Sequence, residues 1–366
     1  MSQQSGVWEK HIRISKFLEM ISPTQTLDSR LQTPDSYDAL LVVSFGGPEG
    51  MDDVMSFLEN VLRGRNVPRE RMTGVAKHYE LFGGVSPING QNRKLIAALQ
   101  QELKTRGPHV PVYLGNRNWH PLLADTVAKM RDDGVKHALA FVTSAYSSYS
   151  SCRQYLEDIE RARASVGADA PRVEKLRAFY NHPGFIEANV ANIQMALQQI
   201  PEERRAETQL VFTAHSIPES MAQNCDYEVQ LGETSRLIAE AVGIENSRLV
   251  FQSRSGSPSQ PWLGPDVCDY LRELHAAGIK DVVVAPVGFV SNHMEIIYDL
   301  DTQAMALCRE LGLNMIRAAT AGTHPAFIEM IRELIMERID PETPRRSLGS
   351  HGTRSDVCHP GCCLLG

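Results

Sequence analysis

Eight short apolar runs, spaced regularly along the chain, constrain its fold more than any other feature. They lie at Ala39–Phe45, Val110–Leu114, Ala138–Thr143, Lys175–Tyr180, Gln209–Thr213, Arg248–Gln252, Asp281–Pro286 and Asn314–Ala319. Most are nearly continuous in Val, Leu, Ile and Phe, as a strand buried on both faces requires. Between most of them lie amphipathic stretches of helix length, among them Gln91–Lys104, Pro121–Asp132, Phe185–Gln198, Glu228–Ala241 and Val267–Ala277. Strand alternating with helix implies parallel sheets with helices on both faces. Four runs precede residue 200 and four follow it, so each half reads β-α-β-α-β-α-β. The expected fold is α/β, with two similar doubly wound domains, each a four-stranded parallel sheet flanked by helices.

At 366 residues the chain has room for about two domains. Residues 1–36, rich in Ser, Thr, Gln and Pro, read as a poorly ordered N-terminal tail. The first domain then spans 37–200 and the second 201–340. The last helix of the second, Pro325–Ile339, is placed to cross back and brace the first. Residues 341–366 form a separate Cys-rich tail. A balance of 37 basic against 44 acidic residues, with no basic stripe, gives no reason to expect nucleic acid. No apolar run approaches the ~18–20 residues that span a bilayer. Nor does a signal core follow Glu9, Lys10, His11 and Arg13. The expected compartment is the cytoplasm, where disulfides are rare. The seven cysteines must then be packed, reactive or metal-binding.

In open parallel sheets, ligands bind beyond the carboxyl ends of the strands. The first strand ends in Ser44-Phe45-Gly46-Gly47-Pro48, a tight turn that lets a flat ligand come close but is not a dinucleotide fingerprint. The fifth runs into Ala214-His215-Ser216-Ile217-Pro218, and the seventh into Ser291-Asn292-His293-Met294-Glu295. Both place a histidine on one rim of the same sheet, with a carboxylate two residues beyond the second. Glu295, Asp299 and Gln303 follow at i, i+4 and i+8. They read either as a solvated helix face or as a polar track leading from a pocket. Imidazole with carboxylate suits ferrous iron and other first-row divalent ions. No G-x-S-x-G elbow, HExxH or Walker A motif is present.

Cys225, Cys268 and Cys308 sit singly in helical stretches and read as packed thiols. Cys358, Cys362 and Cys363 crowd the tail, and Cys152, after the third strand, is the candidate fourth ligand. Four thiolates suit a [2Fe–2S] cluster or zinc, with His359 able to replace one cysteine on zinc.

Seven ordered motifs now stand out: LLVVSFGGPEGMDDV, FGGVSPIN, YLGNRNWHP, TSAYSSYS, FTAHSIP, FQSRSG with PWLGP after it, and PVGFVSNHMEIIYDLD. With them the chain resembles the ferrochelatases, which insert ferrous iron into a porphyrin in haem synthesis. The likeness runs from about Tyr37 to Ile339. It implies two Rossmann-like domains with the active site in the cleft between them, the chelatase fold. It implies a catalytic and metal-binding role for His215 and Glu295, with His293 in support and Asp299 on the acidic track. Gln303 stands where some relatives carry a further acid. Porphyrin contacts fall on Phe45, Arg71, Tyr79, Ser86, Arg117, Asn118 and, in PWLGP, Trp262; Trp119 lies beside Asn118. Some bacterial relatives have tyrosine where this chain has Phe45. The expected substrates are Fe2+ and a free-base porphyrin, coproporphyrin III or protoporphyrin IX, and two protons are released. Motifs YLGNRNWHP and SAYSSYSSC look closest to bacterial forms that use coproporphyrin III. Cluster-bearing members use one internal cysteine and three near the C-terminus. The resemblance thus implies [2Fe–2S] on Cys152, Cys358, Cys362 and Cys363, although the C-x₃-C-C spacing departs from the animal one. The alternatives are a chelatase for cobalt or nickel and another tetrapyrrole, or a non-catalytic haem or metal carrier. Transient contact with a membrane surface is compatible with the chain, and its oligomeric state is not legible.

Overall fold

Each half of the chain folds around a four-stranded parallel sheet. The computed structural model describes residues 37–64, 67–255, 259–359 and 361–365; the expected tail at 1–36 lies outside them, as do Gly256 of FQSRSG and Pro360. The first half comprises β1 (Ala39–Ser44), α1 (Met51–Val61), α2 (Arg69–Glu80), α3 (Ile88–Arg106), β2 (Val112–Asn116), α4 (Leu123–Asp132), β3 (His137–Val142), α5 (Gln154–Val166) and β4 (Arg172–Lys175). Helix α6 (Pro183–Leu197) leads to β5 (Gln209–His215), α7 (Tyr227–Val242), β6 (Ser247–Gln252), α8 (Val267–Ala276) and β7 (Asp281–Ala285). The chain continues through α9 (Met294–Tyr298), α10 (Met305–Leu311), β8 (Asn314–Arg317) and α11 (Pro325–Ile339). Strand order is β2-β1-β3-β4 in one sheet and β6-β5-β7-β8 in the other, the same winding twice.

Burial follows place in the sheet. The inner strands β1, β3 and β7 are buried along their whole length, and β5 at all but its last residue. That is why they read as unbroken apolar runs, with helices covering both faces. The edge strand β2 is only partly buried.

One boundary differs in kind from the expectation. The fourth strand is Arg172–Lys175, not Lys175–Tyr180. The apolar run after Lys175 leaves the sheet: Leu176, Phe179 and Tyr180 instead join a core with Phe141, Phe185 and Phe327. The true strand is an edge whose outward Glu174 pairs with Arg338. Hydrophobic content marks burial, and here burial and strand part company.

The last helix does cross back. α11 packs on α3 of the first half and on α6, and it starts cleanly, with His324 capping and Pro325 at the first turn. Arg177 and Glu337, both essentially inaccessible, form a two-bonded pair at 2.7 and 2.8 Å that fixes α11 to the chain before α6. Beyond α11 the chain has no helix or strand among its described residues, yet it is anchored. Asn181 donates to the carbonyls of Leu348 and Gly352, Arg345 pairs with Asp356, and Arg354 pairs with Asp226 at the start of α7.

Candidate active site

Strand order reverses between β5 and β7, which pair directly in register. This switch point of a doubly wound sheet opens a crevice at the carboxyl ends. β5 ends in His215, and the loop from β7 delivers His293 and Glu295 to the same crevice. The two rim histidines predicted from the strand ends therefore meet.

His215 is held from both nitrogens. Its Nδ1 donates to the Ser216 carbonyl, and its Nε2 faces the Glu295 carboxylate at 3.4 Å. The two side chains keep 30 and 46% exposure, because they face the cleft and not the core. Burial works against a charged imidazole here, but the Glu295 charge and hydrogen bond outweigh it and hold His215 up to about 9. Burial likewise favours a neutral Glu295, and the His215 charge overrides it, bringing the carboxyl down to about 2. The pair is an ion pair carrying one proton across neutral pH. His293 caps α9: its Nδ1 accepts from the Glu295 amide at 3.3 Å, and burial keeps the ring below its ordinary range. Asp299, one turn on, accepts from Ser253 Oγ and, at 3.4 Å, from Gln252. Burial pushes it up to about 6 despite those donors. Gln303 continues the π-helical turn Asp299–Ala304.

Gln252 and Ser253 were missed from sequence. Gln252 pairs in register with His215 on the neighbouring strand, so the strand-end rule applied to β6 would have found it. Ser253 sits at φ 62, left-handed backbone that a serine rarely adopts, and nothing in the sequence signals that.

The opposite wall comes from the first half. Tyr79 of α2 is buried, close enough to Glu295 for the carboxylate, together with burial, to push its phenol up. Phe57 lies edge-on to Tyr79 at 6.0 Å, to Phe45 at 6.2 Å and to Trp119 at 6.3 Å. These aromatics form one cluster with Met294, Ile297 and Tyr298 of α9. His78 stacks on Tyr298 at 3.7 Å, and Arg71 donates to the Ser255 carbonyl, so α2 touches the second half at two points.

Four further sequence candidates have local partners. Arg117 is buried in an ion pair with Asp158, between the Tyr155 and Phe45 rings at 4.5 and 5.8 Å. Asn118 donates to the Phe45 carbonyl at 3.2 Å. Ser86 is buried beneath the Gly46-Gly47 turn: a Cβ on Gly47 would meet Ser86 Cβ at 2.6 Å, and Gly46 has φ +77. Trp262 bridges to Pro218 beyond His215, and its buried indole N–H has no hydrogen-bond partner among the described residues.

The thiols gather elsewhere. Cys152 lies in a π-helical turn, Tyr149–Arg153. Cys358, with Lys175 and Arg354 also near, holds the Cys152 thiol below its ordinary range against its burial. Cys362 and Cys363 stand 3.4 Å apart, sulfur to sulfur. Cys225 packs against the main core as expected, and it also lines a pocket of about 350 Å³ with Cys362 and Cys363. Among the described residues, no three His, Cys, Asp or Glu side chains are arranged to hold a single metal ion.

Comparison with known proteins gives first the fold. SirB from Bacillus subtilis, solved with Fe3+, superposes over 84% of this chain and 99% of its own with a TM-score of 0.53 at 12% identity. The family follows from sequence. The ferrochelatase family model matches residues 37–339, and the chain belongs to the ferrochelatase family. A ferrochelatase of Rhodopirellula baltica is 57% identical, over 90% of this chain and 93% of its own. A coproporphyrin III ferrochelatase of Nocardia farcinica is 50% identical over 89% and 96%. Another, from Mycolicibacterium smegmatis, is 50% identical over 89% and 99%. No helix among the described residues is long and apolar enough to cross a membrane.

Proposed function

We propose that this protein inserts Fe2+ into coproporphyrin III, working from the cytoplasm in the cleft between two domains that divide near residue 200. The observation that carries this is the His215–Glu295 ion pair set against the Phe45, Phe57, Tyr79 and Trp119 aromatics. Aromatic faces suit a flat macrocycle, and an imidazole–carboxylate pair suits both a borderline divalent ion such as Fe2+ and a proton. Two donors are too few to retain iron tightly, as befits a metal that must be handed on.

The pair's own proton orders the chemistry. In the unliganded cleft His215 is charged and cannot accept a pyrrole proton. Fe2+ approaching Glu295 cancels the charge that keeps that proton in place. Burial then lowers His215, the proton leaves, and the neutral imidazole becomes the acceptor. Asp299, near 6, exchanges protons readily around neutrality and offers them a way out. Each turnover releases the two pyrrole protons as the metal enters. His293 keeps Glu295 aimed, and Arg71, at the cleft mouth, suits a propionate. Support for coproporphyrin III comes from the likeness to the coproporphyrin III ferrochelatases of Nocardia farcinica and Mycolicibacterium smegmatis. Side-by-side turnover should show kcat/KM for coproporphyrin III at least tenfold above that for protoporphyrin IX. The reverse order overturns the substrate assignment and leaves iron insertion standing.

We also propose one [2Fe–2S] cluster on Cys152, Cys358, Cys362 and Cys363. Two thiolates held tetrahedrally at ~2.3 Å from one metal are ~3.8 Å apart, and Cys362 and Cys363 at 3.4 Å need little adjustment. Cys362 and Cys363 supply one contacting pair, and Cys152 with Cys358 would supply the second that a two-iron cluster needs. When bound, a cluster supplies cross-linking and not redox chemistry, since metal insertion transfers no electrons. Cys152 belongs to the body and the other three to the tail, so these residues together would pin one to the other. Anaerobically purified protein should be reddish and contain iron and sulfide. Cys362→Ser should lose the colour and lower Tm; colourless parent protein without iron or sulfide overturns the cluster.

A further inference from the structure

Tyr227 is the first residue of α7, and its hydroxyl donates to the His215 carbonyl at 3.0 Å. The way β5 ends leaves that carbonyl in need of a donor. β7 pairs with β5 as far as Phe212, and the Gly288 amide carries the contact on to the Thr213 carbonyl. Alternate carbonyls of a strand point the same way, so His215, two residues on, turns its carbonyl to the β7 side past the last of these bonds. On the other side β6 still holds the chain, because the Ser216 amide donates to the Gln252 carbonyl at 2.8 Å. The backbone at His215 thus leaves the sheet supported on one side by a strand and on the other by a side chain.

Tyr227 is itself fixed from the first half. It is buried, and the Tyr146 ring meets it edge-on at 6.0 Å. Gln230, one turn along α7, accepts from the Ser147 amide at 2.8 Å and donates to the Ser147 hydroxyl at 3.1 Å. Asp226, just before the helix, pairs with Arg354 at 2.7 Å. Burial pushes the Tyr227 phenol up, so the hydroxyl keeps the proton that it donates.

We propose that Tyr227 is a positioning residue for iron insertion, its hydroxyl standing in for the ladder bond that β5 lacks at His215 and so holding that ring against Glu295. The inference rests on the catalytic reading of His215 above. The imidazole reaches the cleft from the last residue of a strand, and its Nδ1 is tied to the carbonyl of the next residue, Ser216. Ring placement therefore follows the backbone of these two residues. Without the Tyr227 hydroxyl the His215 carbonyl loses its donor, which is costly, and the peptide turns to find another. A shift of ~1 Å in a reacting group can lower a rate on the order of 10²-fold.

The full-length protein is the material for the test. Y227F removes only the hydroxyl and keeps the ring that packs on Tyr146. Y146F is the comparison: it removes a buried hydroxyl of the same kind, which donates to the Val287 carbonyl at 2.9 Å and not to His215. Thermal melting verifies that each variant is folded. Iron-insertion kcat and porphyrin KM are then measured for both, and kcat again for Y227F in the His215→Ala background. Y227F should lower kcat by roughly 10–100-fold. Its porphyrin KM should stay within about threefold of the parent, and Y146F should lower kcat by less than about threefold. With His215 gone, Y227F should lower kcat by less than about twofold further, because a residue that acts only through His215 has nothing left to position. Parental kcat in Y227F overturns the proposal. So does an equal loss of kcat in Y146F, or the same fold-loss from Y227F with and without His215. A His215→Ala variant that turns over like the parent overturns the reading of His215, and this inference with it.

Discussion

His215→Ala should lower kcat for iron insertion by roughly 10²–10⁴-fold, the usual scale for loss of a proton acceptor, with the fold preserved. The side chain lies at the end of β5, where it faces the cleft and carries no core packing. Its removal leaves Glu295 with His293 as its remaining basic neighbour. Burial then works on that carboxylate unopposed by the stronger cation, and its pKa rises from about 2. Without the imidazole the cleft lacks the proton acceptor and one of its two iron donors, so both roles of the pair fail together. The effect should appear in kcat, with porphyrin binding, followed by fluorescence quenching, nearly unchanged. Near-normal turnover with weakened porphyrin binding would sink the acceptor role. The same variant has a pH signature in stability. His215, raised from 6.5 to about 9, contributes fully below 6.5 and loses its contribution as pH passes 9. Glu295, lowered from 4.5 to about 2, contributes fully above 4.5 and loses it toward 2. The Tm difference between parent and variant should therefore be largest between about pH 4.5 and 6.5 and vanish above about pH 9.

Glu295→Gln should reduce kcat by roughly 10²-fold with porphyrin KM changed less than about threefold. The amide fills the same space and accepts the same hydrogen bond, so the loss is one of charge. Without that charge His215 falls from about 9, because burial is now opposed only by the Ser216 carbonyl and the Asp299 charge. The imidazole gives up its proton more readily but has no carboxylate beside it to draw Fe2+ in. Residual activity should lose its dependence on a group near 9, and the iron KM should rise. A change confined to porphyrin KM would move Glu295 from the chemistry to substrate binding.

What could be read in advance, and what could not, divides along physical lines. Inner strands such as Val282–Ala285 announce themselves because both faces are buried. Leu176–Tyr180 misled because it is equally buried without being a strand. His215 and Glu295 were legible from strand ends and family motifs, and the structure brings them to 3.4 Å. The proton held between them was not, since it depends on a distance and on burial. Arg117 illustrates a third case: the resemblance implies a porphyrin contact, whereas its guanidinium is engaged with Asp158 inside the first half, 5.8 Å from the Phe45 ring. A motif locates a residue without saying which way it points. The left-handed Ser253 is a property of the assembled backbone, and no pattern of residue types carries it.

The two walls of the cleft have separate origins in the chain. His215, Glu295 and Asp299 hang from the regular winding of the second sheet. Phe57 and Tyr79, by contrast, belong to α1 and α2, a helical excursion between β1 and α3 whose counterpart after β5 is only the four-residue turn Glu219–Ala222. The excursion has its own small core of Val54, Phe57, Leu58, Ala76 and Tyr79, closed by Met294. Reactivity and recognition are thus inherited in different segments. A lineage meeting a tetrapyrrole with other rim substituents can reshape the helical hairpin one side chain at a time, while the strands that hold the acid–base pair stay as they are.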